Sequence, residues 1–238
     1  MLAIVLQGRL DSSRLPGKSL LSLAGKPLIS RVMEALNHVP ADIRILACPD
    51  DCAAAFTLPA AEAGFELFSG PREDVLARYA LAVRRFNIRR LIRATGDNPF
   101  VFTDAATAIN AEALALDADY AGYGGLPCGA GVESVKAASL LRAETEAAAA
   151  YEREHVCPYL YAHPELFLLH RPAAPLRWQD RRGAAMKLSV DTPEDYERAK
   201  ELYAALGRFG DNEERYRGTG ILKVYGELFP ESADGAVP

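Results

Sequence analysis

The sequence predicts an α/β protein, a three-layer α/β/α sandwich around a mostly parallel sheet. Three observations carry that expectation. Short apolar runs of strand length alternate with amphipathic stretches of helical length through the first 95 residues. The connections between them are short, which implies right-handed crossovers and parallel neighbours. The first run, residues 2–6, is also apolar throughout, as a strand covered on both faces must be.

Residues 2–6 (LAIVL) form the first run, and the polar, Gly-bearing segment after it marks a strand that empties into a loop near Gln7. A helix follows from Pro27, a residue suited to a first helical position, with Leu28, Ile29, Val32, Met33 and Leu36 on one face. Residues 43–47 read as the second strand and 50–63 as the second helix, closed by Gly64. A third strand spans 65–68. The helix over 73–86 turns Val75, Leu76, Tyr79, Ala80 and Val83 inward, and 89–94 is the fourth strand.

Beyond that point the pattern loosens. A helix is expected over 103–116, strands at 119–121 and 132–135 around the Gly-rich loop 122–131, and an alanine-rich helix over 137–149. Further strands are expected at 166–169 and 187–190. The last long helix runs to residue 206, with Thr192 as its N-cap and Asp195 as the carboxylate three residues on. Residues 1–209 are read as one domain. Residues 210–238 are read as a C-terminal extension, a short apolar segment at 221–229 followed by a frayed polar tail.

The 238 residues, 50% hydrophobic and 25% charged, are ample for one core. Lys and Arg total 27 against 32 for Asp and Glu, so no broad basic surface for nucleic acid is expected and any anion site is local. No stretch approaches the roughly 20 apolar residues that span a bilayer, and the opening run is too short for a signal peptide. A cytoplasmic protein without membrane contact is the expectation. The four cysteines lack CxxC spacing and read as reduced structural thiols.

The chemistry concentrates in QGRLDSSRLPGKS, residues 7–19. Three cations, Arg9, Arg14 and Lys18, lie among Gly8, Ser12, Ser13 and Gly17 directly after the first strand. Ligands of open α/β sheets bind at the carboxyl ends of strands, and backbone N–H groups, hydroxyls and fixed positive charge suit a polyphosphate. The competing reading is a solvated loop. A P-loop is the nearer competitor, since residues 12–19 match GxxxxGK[ST] with Ser in place of the first Gly. Gly25 and Pro27 would halt the long helix that a P-loop feeds.

Two aspartates follow at matching places, Asp97 after the fourth strand and Asp191 after a late one. Two carboxylates beside a phosphate site are what Mg²⁺ needs, because it takes few protein oxygens and completes its shell with phosphate and water. Taken singly, Asp97 reads equally as a turn residue and Asp191 as part of a helix start.

Together these motifs resemble a family. QGRLDSSRLPGK resembles the signature QARxxSTRLPGK of the cytidylyltransferases that activate acidic or surface sugars, particularly the spore coat polysaccharide biosynthesis branch, with sialic acid and 3-deoxy-manno-octulosonate cytidylyltransferases as relatives. GPREDVLARY resembles the family's GSEEDVLDRY, TGDNPFV its TADCPLI, YEREHVCPYLYAHPELF its SEREHVTPYIRNHPELF, and LSVDTPEDYERAKELY its WTVDEPEDFELIRKIY.

The resemblance implies the nucleotide-diphospho-sugar transferase fold and transfer of CMP from CTP to a sugar phosphate or acidic sugar, with release of pyrophosphate. It implies that Arg9, Arg14 and Lys18 hold the triphosphate, close to Gln7, Gly8, Ser12 and Ser13, and that Arg14, Lys18 and Asp97 serve catalysis. Asp97 and Asp191 become Mg²⁺ ligands. Asp74 and Arg78 would border the nucleotide, where a plain i, i+4 salt bridge is the alternative. Glu133, Arg153 and His155 would border the acceptor sugar, where a solvated helix face is the alternative for Arg153 and Glu154. Relatives are often dimers, and residues 221–229 would offer a homodimer contact.

The sequence also departs from the family. Gly8 replaces Ala and Asn98 replaces Cys. In LPCGAGVES, where the branch has PDGLDVEV, Cys128 and Gly131 replace acidic residues, which bears on acceptor recognition and not on CTP. Two other classes compete: a non-catalytic nucleotide-binding module of the same fold, and a glycosyltransferase using a finished sugar nucleotide. The latter would carry Asp-x-Asp, and neither Asp97 nor Asp191 has a second Asp two residues on.

Overall fold

Strand β1 (Leu2–Gln7) sends alternate side chains into two separate apolar clusters, Ile4 and Leu6 to one side and Ala3 and Val5 to the other. That division makes the three layers. The computed structural model, which describes residues 1–210 and 212–230, places β1 inside a seven-stranded sheet. It pairs in parallel with β4 (Ile43–Pro49) on one side and β6 (Arg90–Thr95) on the other, and β5 (Glu66–Gly70) extends the sheet beyond β4. Past β6 one strand is reversed. Strand β8 (Glu133–Lys136) runs antiparallel to β6 and to β7 (Tyr120–Ala121), so β7 and the edge strand parallel to it, β9 (Leu169–His170), run with β6 again. The order is β5-β4-β1-β6-β8-β7-β9.

Helices α1 (Leu28–Leu36), α2 (Ala53–Ala63), α4 (Thr103–Ala115), α8 (Pro193–Leu206) and α9 (Gly218–Leu228) contribute to the cluster around Ile4. Helices α3 (Val75–Phe86), α5 (Ala137–Glu146) and α7 (Pro158–Ala162) contribute to the one around Val5, and α6 (Ala150–His155) packs on α3. The capping box at α8 is as expected, with Asp195 N donating to Thr192 Oγ1 at 3.2 Å and Thr192 N to Asp195 Oδ2 at 3.1 Å. No described helix is long and apolar enough to cross a membrane.

The loop after β1 makes a single 3-10 turn, Lys18–Leu20, then a hairpin of β2 (Ser22–Leu23) and β3 (Lys26–Pro27). Both residues between these strands, Ala24 and Gly25, have positive φ, the backbone that a tight two-residue hairpin demands. A P-loop helix is therefore absent here, and α1 starts one residue later than expected, with Pro27 as its N-cap.

The strand expected over 166–169 is confined to Leu169–His170, and two further expectations need correction. Residues 187–190 do not join the sheet: Cys128↔Lys187 is an isolated bridge, and Val190 N donates to Asp97 O at 2.8 Å. Leu188 and Val190 are buried as the alternating pattern requires, but only a loop lies alongside. Residues 221–229 are not an open contact surface either. Ile221, Val224 and Tyr225 on α9 are buried in the protein's own core, where α9 packs on α8. The polar tail from residue 231 lies outside the described residues.

The fold brings the carboxyl ends of β1 and β6 into close register. Gly96 N donates to Gln7 O at 2.8 Å, and a Cβ at Gly96 would lie 2.9 Å from that oxygen and 2.5 Å from Ile29 Cδ1. Only glycine lets the two strand ends meet.

Candidate active site

The loop after β1 folds back on itself, with Gly17 N donating to Leu10 O at 3.0 Å and Ser19 Oγ to Arg9 O at 2.8 Å. It forms one wall of a cleft of ≈ 290 Å³ over the ends of β4, β1 and β6. Gln7, Gly8, Arg9, Ser12, Ser13, Arg14 and Lys18 line it together with Arg78, Asp97 and Asp191, as the sequence led one to expect.

Lys18 is at its centre and only 8% exposed. Its Nζ donates to Asp97 Oδ2 (2.9 Å), Asp191 Oδ1 (3.0 Å) and Val190 O (2.7 Å), which uses all three of its donors. Lys18 therefore holds the two aspartates together on one side of the sheet, their nearer oxygens no farther apart than two hydrogen-bond lengths. Thr95 Oγ1 donates to Asp97 Oδ1 at 2.8 Å, and Asn98 Nδ2 donates in turn to Thr95 Oγ1 at 2.8 Å. Asp191 is also 3.1 Å from Lys187 Nζ and 3.2 Å from Arg14. Burial works against its charge, but hydrogen bonds from Lys18 and Lys187 outweigh that and bring its pKa down to about 2.

Arg9 and Arg14 form the open half of the cationic set: both side chains are more than half exposed. Arg9 lies 4.0 Å from both Asp11 and Glu154. Arg72, which the sequence reading missed, crosses the cleft mouth to pair with Asp11 at 2.6 Å and with Asp51. Its only signal was its place in GPREDV, beside residues already singled out.

Asp97 and Asp191 present hard carboxylate oxygens in a cleft of phosphate scale, and no group of three or more metal-ligating side chains occurs among the described residues. The hard oxygens of Asp97 and Asp191 suit Mg²⁺, which relies on phosphate and water for its remaining positions.

Other expected residues fall elsewhere. Asp74 lines neither cleft: it caps α3 by accepting from Ala77 N at 2.8 Å and takes Arg153 Nε at 2.6 Å. Arg78 forms part of the cleft wall, but its guanidinium donates to Pro71 O and Arg72 O, holding the loop after β5. The i, i+4 pair between Asp74 and Arg78 does not form, because each already has another partner. Arg153, expected at the acceptor, lines neither cleft. It donates to Glu144 O and Ala147 O as well as to Asp74, so it ties α6 to α3 and α5. His155, also expected at the acceptor, lines the first cleft beside Glu154. The chain turns directly after it at Val156, a buried valine at φ 73, a rare backbone for a β-branched residue.

A second cleft, ≈ 450 Å³, opens over β6, β8 and β7 and is lined by Glu133 with Arg93, Thr95, Asn98, Tyr120, Tyr123 and Arg171. Glu133 Oε2 accepts from Arg93 Nη1 at 2.5 Å and Oε1 from Tyr120 Oη at 2.8 Å. Burial opposes the charge on Arg93, but the Glu133 carboxylate more than offsets this and raises its pKa. Arg93 was missed because an arginine beside the apolar residues of RLIRAT reads as an edge residue, as Arg90 does. The altered loop LPCGAG leans on the segment before Asp191: Gly129 has φ +88, and a Cβ there would lie 2.5 Å from Ser189 N.

A mainly parallel sheet, a cationic loop after its first strand, paired carboxylates and an adjoining second cleft together suit the binding of a nucleotide beside a second substrate. The Cytidylyltransferase family model matches residues 3–219. The chain belongs to the cytidylyltransferase family and is an enzyme of that class, a CTP-dependent nucleotidyltransferase.

It is 31% identical over 217 residues to the spore coat polysaccharide biosynthesis protein SpsF of Bacillus subtilis (strain 168), covering 87% of this chain and 88% of that protein. It is 33% identical over 110 residues to a 3-deoxy-manno-octulosonate cytidylyltransferase of Anaeromyxobacter sp. (strain K), over 45% of each chain. Its fold matches a solved cytidylyltransferase from Leptospira borgpetersenii serovar Hardjo-bovis (strain JB197) at a TM-score of 0.81 and 21% identity, covering 95% of this chain and 94% of that one. The structure of CMP:2-keto-3-deoxy-manno-octonic acid synthetase complexed with CTP matches at 0.67 and 17% identity, covering 85% and 98%.

Proposed function

We propose that the protein transfers CMP from CTP to a sugar phosphate or an acidic sugar for surface polysaccharide biosynthesis, releasing pyrophosphate, with Mg²⁺ as cofactor. The observation that carries this reading is Lys18 clasping Asp97 and Asp191 beneath the exposed cations of the loop.

In this reading Arg9 and Arg14 leave their present carboxylate partners for the triphosphate, and Ser12, Ser13 and backbone N–H groups complete its cradle. Asp97 and Asp191 would hold Mg²⁺, which when bound neutralises charge on the phosphates. Lys18 keeps the two carboxylates from repelling one another before the nucleotide arrives. The acceptor lies in the second cleft. Its oxygen forms a bond to the α-phosphorus while the bond from that phosphorus to pyrophosphate breaks, and pyrophosphate leaves with the electron pair. A hydroxyl acceptor passes its proton to Glu133, the carboxylate lining that cleft; an ionised phosphate has none to lose. Rate then comes from alignment and from fixed positive charge.

Pyrophosphate release tests the reading, measured with CTP, UTP, ATP and GTP crossed with sugar phosphates and sugar acids in the presence of Mg²⁺. Release that requires CTP and one acceptor class is expected. No release with any CTP combination, or faster release with another nucleotide, would refute it.

A further inference from the structure

Two residues among those described line both clefts, Arg93 and Thr95, both on β6. If nucleotide and acceptor occupy one cleft each, the phosphorus that changes partners has to sit at their shared border, because the bond forms from one side as it breaks on the other. The Thr95 hydroxyl is already engaged, donating to Asp97 and accepting from Asn98. Arg93 is not fully engaged.

Its Nη1 donates to Glu133 on β8 and its Nη2 to Gln7 on β1, so the guanidinium is pinned from both neighbouring strands. These bonds spend two of the five donors a guanidinium carries. Its Nε is one of four buried side-chain polar atoms without a partner among the described residues, and the only one of them in a residue that lines either cleft. The side chain is 14% exposed, enough to meet a ligand and too little to swing away from one. A planar cation held this rigidly suits a phosphoryl group, for which arginine offers directed hydrogen bonds as well as charge.

We propose that Arg93 is a catalytic residue that donates a hydrogen bond to a non-bridging oxygen of the α-phosphate of CTP, with Gln7 and Glu133 fixing its orientation. The inference rests on the cytidylyltransferase reading above and assigns a separate role within it. Arg9 and Arg14 serve the phosphates that leave; Arg93 serves the one that is transferred. Glu133 then has two duties, since it lines the acceptor cleft and holds the residue that touches the nucleotide.

Calorimetric titration with CTP, CMP and pyrophosphate separates these roles without any need to know the acceptor. Wild type binding CTP tests the underlying reading; the variants test Arg93. In Arg93→Met, affinity for CMP and CTP should fall by the same factor, about tenfold or more, with pyrophosphate affinity unchanged. Arg14→Ala should show the reverse pattern, losing CTP and pyrophosphate affinity while keeping CMP. Because Arg93→Met strands Glu133, the double variant Arg93→Met/Glu133→Met removes both charges and should give the same nucleotide pattern in a protein free of an unpaired carboxylate. Variants whose CMP affinity matches wild type, including the case in which neither shows any, would overturn the proposal. So would a loss that falls equally on pyrophosphate.

Discussion

Replacing Lys18 by Met removes a cation that two carboxylates and a carbonyl share, at a site only 8% exposed. Breaking a buried ion pair by deleting one partner costs about 3–5 kcal/mol. The lower end applies here. Asp191 keeps Lys187 and Arg14, whereas Asp97 keeps only the Thr95 hydroxyl and faces Asp191 with no cation between them. Unfolding in urea at pH 7 should therefore report a loss of about 3 kcal/mol. The deficit should shrink as the pH falls toward about 4 and a carboxylate takes up a proton. Millimolar Mg²⁺ should restore more stability to the variant than it adds to wild type, because a divalent cation relieves the same repulsion. CTP affinity should drop as well, since the triphosphate then meets two uncompensated carboxylates. A variant as stable as wild type at pH 7, or a deficit indifferent to both pH and Mg²⁺, would refute the account of Lys18 as the clasp of the site.

Asp191 has its pKa lowered by folding to about 2, so the stability it contributes is fully present above about pH 4 and is lost as the pH falls through 2. Asp191→Asn should flatten the acid limb of stability in that window, and an unchanged limb would remove Asp191 as its source. Glu133→Gln should slow transfer with little loss of CTP affinity, because the amide oxygen still accepts from Arg93, whereas His155→Ala should weaken CTP binding, because His155 lines the first cleft; steady-state kinetics beside CTP titration separates the two, and the opposite pattern would exchange the clefts. Of the four cysteines, Cys128 alone is exposed, and burial pushes the Cys48 thiol up to about 11. A thiol reagent should label one cysteine quickly in the native protein and all four after unfolding, and two or more fast thiols would contradict the packing.

Much of the nucleotide half was readable because its signals are local. The apolar runs of β1, β4 and β6, the cations of residues 9–18 and the capping box at Thr192 each declare themselves within a few residues. The half around the second cleft was harder because its structure depends on partners distant in sequence. Residues 187–190 alternate like a strand, yet whether they pair depends on which backbone lies alongside, and here it is the loop at Cys128. The apolar face of α9 looked available until α8 was seen to cover it. Arg153 and His155 are two residues apart and were assigned together, but a helix turns such neighbours to different sides, one to Asp74 and the other to the first cleft. Arg93 could not be placed from sequence at all, since its meaning comes from Gln7 and Glu133 on the strands to either side.

The sheet changes direction at a single strand, and that has a bearing on inheritance. To one side of β6 lie the parallel strands that carry the loop of residues 8–18, and to the other lie the reversed strand β8 and then β7, which runs with β6 again, with Tyr120, Tyr123 and Glu133. If the proposed assignment of the two clefts holds, changes at residues 120–133 and position 171 would alter the sugar taken while leaving the nucleotide half untouched. The seam such changes have to respect is β6, where Arg93 and Thr95 belong to both halves. Chimaeras joined outside that strand should keep their chemistry, and those joined within it should lose it.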